Sequence, residues 1–436
     1  MVSVRKRGKL YEYRFEVATI DGTRKWITKS GYSSKEEAFK EGAKAYNDFY
    51  YNGKKTQLRE NMSYSDFLDY WIDTYANFNL HYSTTIAYLN IIKNHVKPRL
   101  GYYKLSQLDT RLLQEFMNKI YVEYAFSKNY LASILKVLKG SLKYACYTLN
   151  YINVDPAEHV HAPRIEKINS DPAHIFTQEE IEKILERFKG THSIYYAFLI
   201  AYYTGMRVSE VYGLTWDCIN FEKKTLTINK NIIKKNQYGL PKRKNITKGH
   251  SVGVWYYGDC KNPQSRRTIS IGDTLIKALK TYKKEQEENQ KFYGDSYLYY
   301  YEKKVQNEIT KREETKLLEA KAELGVPLPK SELVFVKENG QFLGTDSPKY
   351  AFKVIHYELG INCRFHDFRD THATKLIENG ADIKAVSKRL GHSTIQTTYN
   401  IYVKVTNKME NDTVNRFEEY GNSLVIPETT DVPYIN

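Results

Sequence analysis

The sequence predicts a multi-domain chain, mainly α with small β-sheets, and three observations lead there. The chain has 436 residues, and at about 150 residues per domain that is two to four domains. Its hydrophobic period changes along its length, from two over residues 9–17, to helical spacing over 63–160, to a mixture of both from residue 171. Aperiodic stretches at 56–62 and 153–171 separate these regions, and the second carries Pro156 and Pro163.

Residues 1–55 read as a small sheet with one helix. Tyr11, Tyr13, Phe15 and Val17 alternate with Glu12, Arg14 and Glu16, as in a half-buried strand. Asp21-Gly22 signals a hairpin, and Thr23 to Thr28 returns as the partner. Ser33 or Ser34 then opens a helix, with Glu36 or Glu37 completing a capping box. Phe39, Ala43, Tyr46 and Tyr50 form its apolar stripe, and Asn52-Gly53 ends it.

Residues 63–160 read as a helical bundle. Tyr64, Phe67, Leu68, Trp71 and Tyr75 share one face. A second helix, from about Ser83 to Val96, is expected to stop before Pro98. Asp109 can cap a third helix, and Ser127 a fourth running to about Leu149. Residues 153–171 are expected to link this bundle to an α+β domain over 171–422.

That last domain opens with a capping box of Thr177 and Glu180. An apolar helix over 193–204 ends at Thr204-Gly205. Strand character follows at 225–233, 250–257 and 266–271, with a basic loop from Lys234 to Lys248. Residues 285–330 are charged and helical in composition, with no clear apolar face, and are expected to form a helical insert. Helices return at about 347–358, 366–378, 382–390 and 394–408. The polar tail 423–436, with Pro427 and Pro433, is expected to be flexible.

Charge points to a polyanionic partner. Lys plus Arg is 66 against 51 Asp plus Glu, a net +15. The charge is patchy: residues 223–267 carry +11 and residues 1–60 carry +6, while 285–324 carry −3. The longest apolar run, Ile194 to Tyr203, is far short of the roughly 18 residues that cross a bilayer, so no membrane association is expected. Arg5, Lys6 and Arg7 precede no apolar stretch of a secretory signal. The four cysteines form no Cys-x-x-Cys pair, which argues against a zinc ribbon or disulfide scaffold and for a cytoplasmic home.

Four short pieces of the third region can carry chemistry: Arg207-x-x-Glu210 after Thr204-Gly205; Lys261 before Ser265-Arg266-Arg267; His366-x-x-Arg369; and Leu390-Gly391-His392, with Tyr402 ten residues beyond His392. Singly, an Arg-x-x-Glu reads as an ion pair and a His-x-x-Arg as a satisfied polar pair. No metal is expected, because His366 and His392 lack a close third ligand and the surrounding arginines repel a cation.

In this order and spacing the set resembles the tyrosine recombinase (phage integrase) family. The resemblance covers nearly the whole chain and is strongest over Thr204–Leu214 and Phe365–Val403. It implies an arm-type DNA-binding domain over 1–55, a core-binding domain over 63–160 and a catalytic domain over 171–422. By that resemblance, Arg207 and Arg369 clamp the scissile phosphate and Glu210 supports Arg207. His366 stands beside the second arginine, His392 donates to a phosphate oxygen, Lys261 protonates the leaving 5′-oxygen, and Tyr402 is the nucleophile. Two planar guanidiniums suit the charge that builds on the non-bridging oxygens. The phenol, with a pKa near ~10, needs cations and a base to attack.

The resemblance further implies a 3′-phosphotyrosyl intermediate, rejoining without a nucleotide cofactor, and a homotetramer on double-stranded DNA with core and arm attachment sites. It also implies a DNA-bending or excision accessory protein. The expected function is integration and excision of a mobile element, phage or conjugative transposon, in a bacterium. A host-type Xer-like dimer resolvase, a relaxing topoisomerase and a catalytically inactive DNA-binding regulator are the alternatives. Tyr399 competes with Tyr402, and Lys244 and Lys248 with Lys261. Asp370 stands where many members of the family have a histidine, and residues 285–330 exceed the family's usual length, with a subunit-contact arm as the alternative to a solvated excursion.

Overall fold

The computed structural model describes residues 2–8, 10–18, 24–50, 62–164, 173–235, 253–259, 263–321 and 327–403. The Asp21-Gly22 turn, Asn52-Gly53, residues 56–61, the basic loop beyond Lys235, Lys244, Lys248, Lys261 and the tail 423–436 lie outside the described residues. The chain divides into two compact units near residue 166. Among the described residues, no helix is long and apolar enough to cross a membrane.

The first unit begins with an antiparallel meander, β1 (Ser3–Arg7), β2 (Leu10–Ala18) and β3 (Arg24–Tyr32), followed by α1 (Lys35–Tyr50). Half of the expected capping box forms: Ser34 Oγ accepts the Glu37 N–H at 3.1 Å, while Glu37 Oε2 accepts the N–H of Ser33, one residue before the cap, at 3.1 Å. Tyr13 and Phe15 are the buried face of β2. The apolar stripe of α1 differs from the expected one. Phe39 is 55% exposed; Tyr46 of the expected stripe does pack on the sheet, but its companions there are Gly42 and Ala45, with Ala38 fully buried nearby. The two large rings on β2 already fill the space under a three-stranded sheet, so small residues face them.

The bundle comprises α2 (Tyr64–Trp71), α3 (Tyr82–Ile91), α4 (Thr110–Tyr124) and α5 (Lys128–Lys143). Ser63, Asp109 and Ser127 cap α2, α4 and α5 through their side-chain oxygens. The expected stop before Pro98 does not occur. A π-helical turn, Ile92–Val96, extends α3, and a further helical segment, Lys97–Leu100, carries Pro98 in its first turn. The Lys97 N–H still bonds to the Ile92 carbonyl five residues back, so a wider π-helical turn carries the chain into Pro98, which has no N–H of its own to place. Residues expected to belong to the linker also pack here: Ala157 and Val160 are fully buried in the bundle core.

The second unit opens with α6 (Gln178–Phe188), α7 (His192–Thr204) and the short α8 (Val208–Tyr212). Strands β4 (Ile219–Asn220), β5 (Thr225–Ile228), β6 (Lys230–Lys235), β7 (Val254–Asp259) and β8 (Arg267–Ser270) follow. The expected single strand over 225–233 is thus two, broken at Asn229, and each half joins a different sheet. One sheet has the order β4-β5-β8.

Helix α9 (Asp273–Tyr293) leads into the segment expected to be a helical insert. Beyond Tyr293 that expectation fails: β9 (Tyr299–Gln306) and β10 (Glu313–Ala320) form an antiparallel hairpin. They complete a second sheet of order β6-β7-β10-β9. Lysine and glutamate make the segment look helical, yet here they pair between strands. Lys230 meets Glu302 at 3.2 Å, Lys235 meets Glu314 at 2.8 Å, and Lys304 meets Glu313 at 2.9 Å. Tyr300, Tyr301 and Leu317 supply its buried apolar side. The unit closes with α10 (Pro348–Leu359), α11 (Phe365–Glu378), α12 (Ile383–Leu390) and α13 (Ile395–Val403). Its core packs α7 on α11 through Phe198 and Phe368, with ring centroids 5.1 Å apart.

Tyr300 ties the hairpin to the rest of the unit. Its hydroxyl donates to Glu319 at 2.5 Å and accepts the Phe342 N–H at 3.0 Å. Tyr300→Phe removes both partners, at about 1–2 kcal/mol. The Phe342 amide is expected to exchange with deuterium roughly tenfold faster in that variant, while the amides of α4 are unchanged.

Candidate active site

The site begins with two helix ends. Helix α7 stops at Gly205 (φ +65°) and α12 at Gly391 (φ +68°), both in the left-handed conformation that glycine adopts without strain. A Cβ at Gly205 would lie 2.6 Å from Leu390 Cδ2, and one at Gly391 would lie 2.8 Å from the Gln264 carbonyl oxygen. The last carbonyls of each helix have no intrahelical partner and sit at the negative end of the helix dipole.

Arginines take those carbonyls. Arg369, on α11, is 1% exposed and donates from Nη1 to the Gly205 carbonyl and from Nη2 to the Leu390 carbonyl, both at 2.6 Å. Arg267, on β8, donates from Nε to the Arg389 carbonyl at 2.6 Å. Arg389 reaches back to the carbonyls of Ser270 at 2.9 Å and Tyr203 at 3.2 Å. Arg207, the residue before α8, reaches the Gly391 carbonyl at 3.5 Å.

One carboxylate sits among these cations. Glu210 is 4% exposed and accepts from Arg207 Nη1 at 2.8 Å and from Arg267 Nη2 at 3.0 Å. It also accepts the backbone N–H of Arg207 at 3.0 Å, which holds that arginine at the helix start. Burial alone would raise the Glu210 carboxyl, but Arg267 and Arg207 hold it below the usual carboxylate range. Arg369 has no such partner. Its guanidinium meets carbonyls only, and its Nε is buried without any acceptor. Burial and neighbouring Arg207 push it down, the signature of a cation short of negative charge. An anion between Arg207 and Arg369 would supply that charge.

Three histidines border the cluster. His392 is partly buried, and its Nδ1 pairs with the Thr398 hydroxyl at 2.8 Å. Burial, Arg369 and Arg207 push it down to about 3, so the ring is neutral at physiological pH. His372 Nδ1 donates to the Tyr202 carbonyl at 2.8 Å while its Nε2 accepts from Arg389 Nε at 3.1 Å, which sets its tautomer. Burial and Arg389 push it down to about 4. His366 has a 56% exposed side chain, with Nε2 3.7 Å from Asp370 Oδ1.

Of the residues singled out in the sequence, Arg207, Glu210, His366, Arg369 and His392 come together here. Lys261 and the side chain of Tyr402 lie outside the described residues, although the backbone of Tyr402 continues α13. Tyr399, on the same helix, is exposed. Arg389 and His372 are new to this set, and Arg267, quoted only as part of the run after Lys261, gains a role. Arg267 was legible in principle: Arg267, Ile269 and Ile271 alternate onto one buried face. His372 stands three residues after Arg369 and so shares its side of α11.

The profile of the phage integrase family matches residues 174–409, more than half of the chain. The chain belongs to the phage integrase family. A phage integrase N-terminal SAM-like domain profile matches residues 63–121, and an arm DNA-binding domain profile matches residues 2–44. A tyrosine recombinase XerC-like protein of Caldanaerobacter subterraneus subsp. tengcongensis is 29% identical over 425 residues, 95% of this chain and 97% of the relative. The integrase of Staphylococcus phage L54a is 23% identical over 388 residues, 84% of this chain and 96% of the relative. The Tn1549 transposon integrase, solved with transposon right end DNA, shares the fold at a TM-score of 0.59 and 18% identity. That likeness covers 82% of this chain and 100% of the other. The chain is an enzyme of the tyrosine recombinase type.

Two consequences are measurable. Glu210→Gln keeps the shape but strands Arg207 and Arg267 without a counter-charge, at about 3–5 kcal/mol. The slowest-exchanging amides of α7 are expected to exchange at least a hundredfold faster. His372, held near 4 in the fold against about 6.5 in an unfolded chain, binds its proton first when unfolded. Its contribution is whole above pH ~6.5 and is lost as pH falls toward 4, by about 3 kcal/mol. The stability difference between wild type and His372→Gln should shrink by that amount between pH 7 and pH 4 in denaturant titrations.

Proposed function

We propose that this enzyme integrates and excises a mobile element by cutting and rejoining DNA through a 3′-phosphotyrosyl intermediate. The observation that carries the reading is Arg369, a buried guanidinium with an orphaned Nε and no carboxylate of its own, beside Arg207. A phosphodiester oxyanion is the anion that such a pair takes in a DNA-binding chain. Arg207 and Arg369 hold the non-bridging oxygens, and Glu210 keeps Arg207 in place. His392, neutral, takes a hydrogen bond from the Thr398 hydroxyl at Nδ1 and donates from Nε2 to the phosphate.

In the step itself the Tyr402 hydroxyl gives its proton to His366, and its oxygen bonds to phosphorus. The bond from phosphorus to the 5′-oxygen breaks, and Lys261 protonates that oxygen. The match of the arm DNA-binding profile at residues 2–44 supports a mobile-element enzyme over a host dimer resolvase, because an arm domain engages a second class of DNA site. Four such subunits on paired duplexes, assisted by a DNA-bending or excision protein, perform the four cuts.

Covalent trapping tests this. Nicked duplexes that include the element's own ends are expected to yield denaturant-resistant adducts with the wild type and with Tyr399→Phe. Tyr402→Phe should yield none while binding the same DNA. Arg369→Lys should slow adduct formation by roughly a hundredfold or more. Adducts lost with Tyr399→Phe alone would reassign the nucleophile. Tight binding to the element's ends with no adduct would favour the regulator reading.

A further inference from the structure

Helix α11 carries an acid that the chemistry above leaves unused. Asp370 directly follows Arg369, is 6% exposed, and its Oδ1 is buried with no hydrogen-bond partner. Leaving a carboxylate oxygen so costs free energy unless a donor reaches it. Arg369 does not: its Nη groups point to the Gly205 and Leu390 carbonyls, and its Nε meets no acceptor, this oxygen included. His366, one turn earlier on α11, presents Nε2 at 3.7 Å. That is too long for a hydrogen bond, and the exposed ring can close it by turning about its own side-chain bonds. The charges around the pair are Arg369 and Asp367 on α11, Arg364 just before it, and Arg207 at the start of α8, with His392 in the same field. A partial loss of water contact, then the arginines Arg369 and Arg207, depress His366, whereas Asp370 opposes them.

We infer that Asp370 is a positioning residue: its Oδ1 accepts the Nε2–H of His366 when DNA is bound, which leaves the lone pair on Nδ1 to receive the nucleophile's proton. The inference rests on the reading of His366 as that acceptor. The proton moves from the Tyr402 hydroxyl to Nδ1 as the bond from oxygen to phosphorus forms and the bond to the 5′-oxygen breaks. The Nε2–H stays on the ring, and the carboxylate stabilises the imidazolium without taking a proton.

Two measurements on the full-length protein decide it. With ring-labelled histidine, the His366 resonance, identified by its loss in His366→Gln, should titrate at lower pH in Asp370→Asn than in wild type. An unchanged midpoint overturns the inference without any DNA substrate. On a nicked duplex that traps the wild type, Asp370→Asn should lower the plateau rate of adduct formation roughly tenfold and shift the acidic limb of the pH profile to lower pH, with DNA binding unchanged. Asp370→Glu, which keeps a carboxylate, should restore part of both. In a His366→Gln background the Asp370→Asn change should cost nothing further. Equal losses in both backgrounds would make Asp370 merely structural. A full rate in His366→Gln itself would instead sink the reading of His366.

Discussion

A buried guanidinium needs partners for its donors, and in this enzyme helix ends supply them to both Nη groups of Arg369 while its Nε stays open. Helices α7 and α12 terminate against one another, and their unpaired carbonyls face inward where most helices would turn them to water. Arg369 bridges the two ends, Arg389 ties α12 back to α7 and β8, and Arg267 ties β8 to α12. The glycines at the two ends permit the approach. Glu210 then sets the charge: it pairs with Arg207 and Arg267, and Arg369 and Arg389 meet carbonyls and a neutral histidine, which leaves the cluster net positive and short of an anion. Positive charge and rigidity thus come from the same hydrogen bonds, so the cluster need not reorganise when negative charge develops before it.

The hairpin of β9 and β10 follows a different logic. It adds two strands beside β7, which would otherwise be the edge of a two-stranded ribbon, a form that is marginal by itself. Its acids pair with the lysines of β6, so part of the basic charge counted in the sequence is neutralised within the fold. The net charge available to DNA is therefore smaller locally than a linear count implies.

Much of the site was legible because its parts are local. Arg207 and Glu210 form a helix-start pair, His366 and Arg369 share a helix face, and Gly205 and Gly391 mark helix ends. The three-part order of sheet, bundle and mixed domain was legible from changes in hydrophobic period. What was not legible depended on distant partners. Arg389 matters only because Tyr203 and Ser270 fold against it, and nothing near residue 389 announces them. The segment 299–320 looked helical because Lys and Glu favour helices in isolation, whereas its pairing with β7, about sixty residues away in sequence, decided otherwise. Pro98 misled because a π-helical turn reset the register ahead of it.

The arrangement of the arginines also bears on time. Arg207 leaves the ribosome 184 residues ahead of Gly391, whose carbonyl it reaches in the finished fold. At ordinary rates of synthesis that delay is on the order of ten to forty seconds. Throughout it, the later helix end is missing, and the guanidiniums that precede it have no frame. A growing chain can already display its basic sheet and bundle, while its guanidinium cluster still lacks the carbonyls of Leu390 and Gly391 that fix its shape.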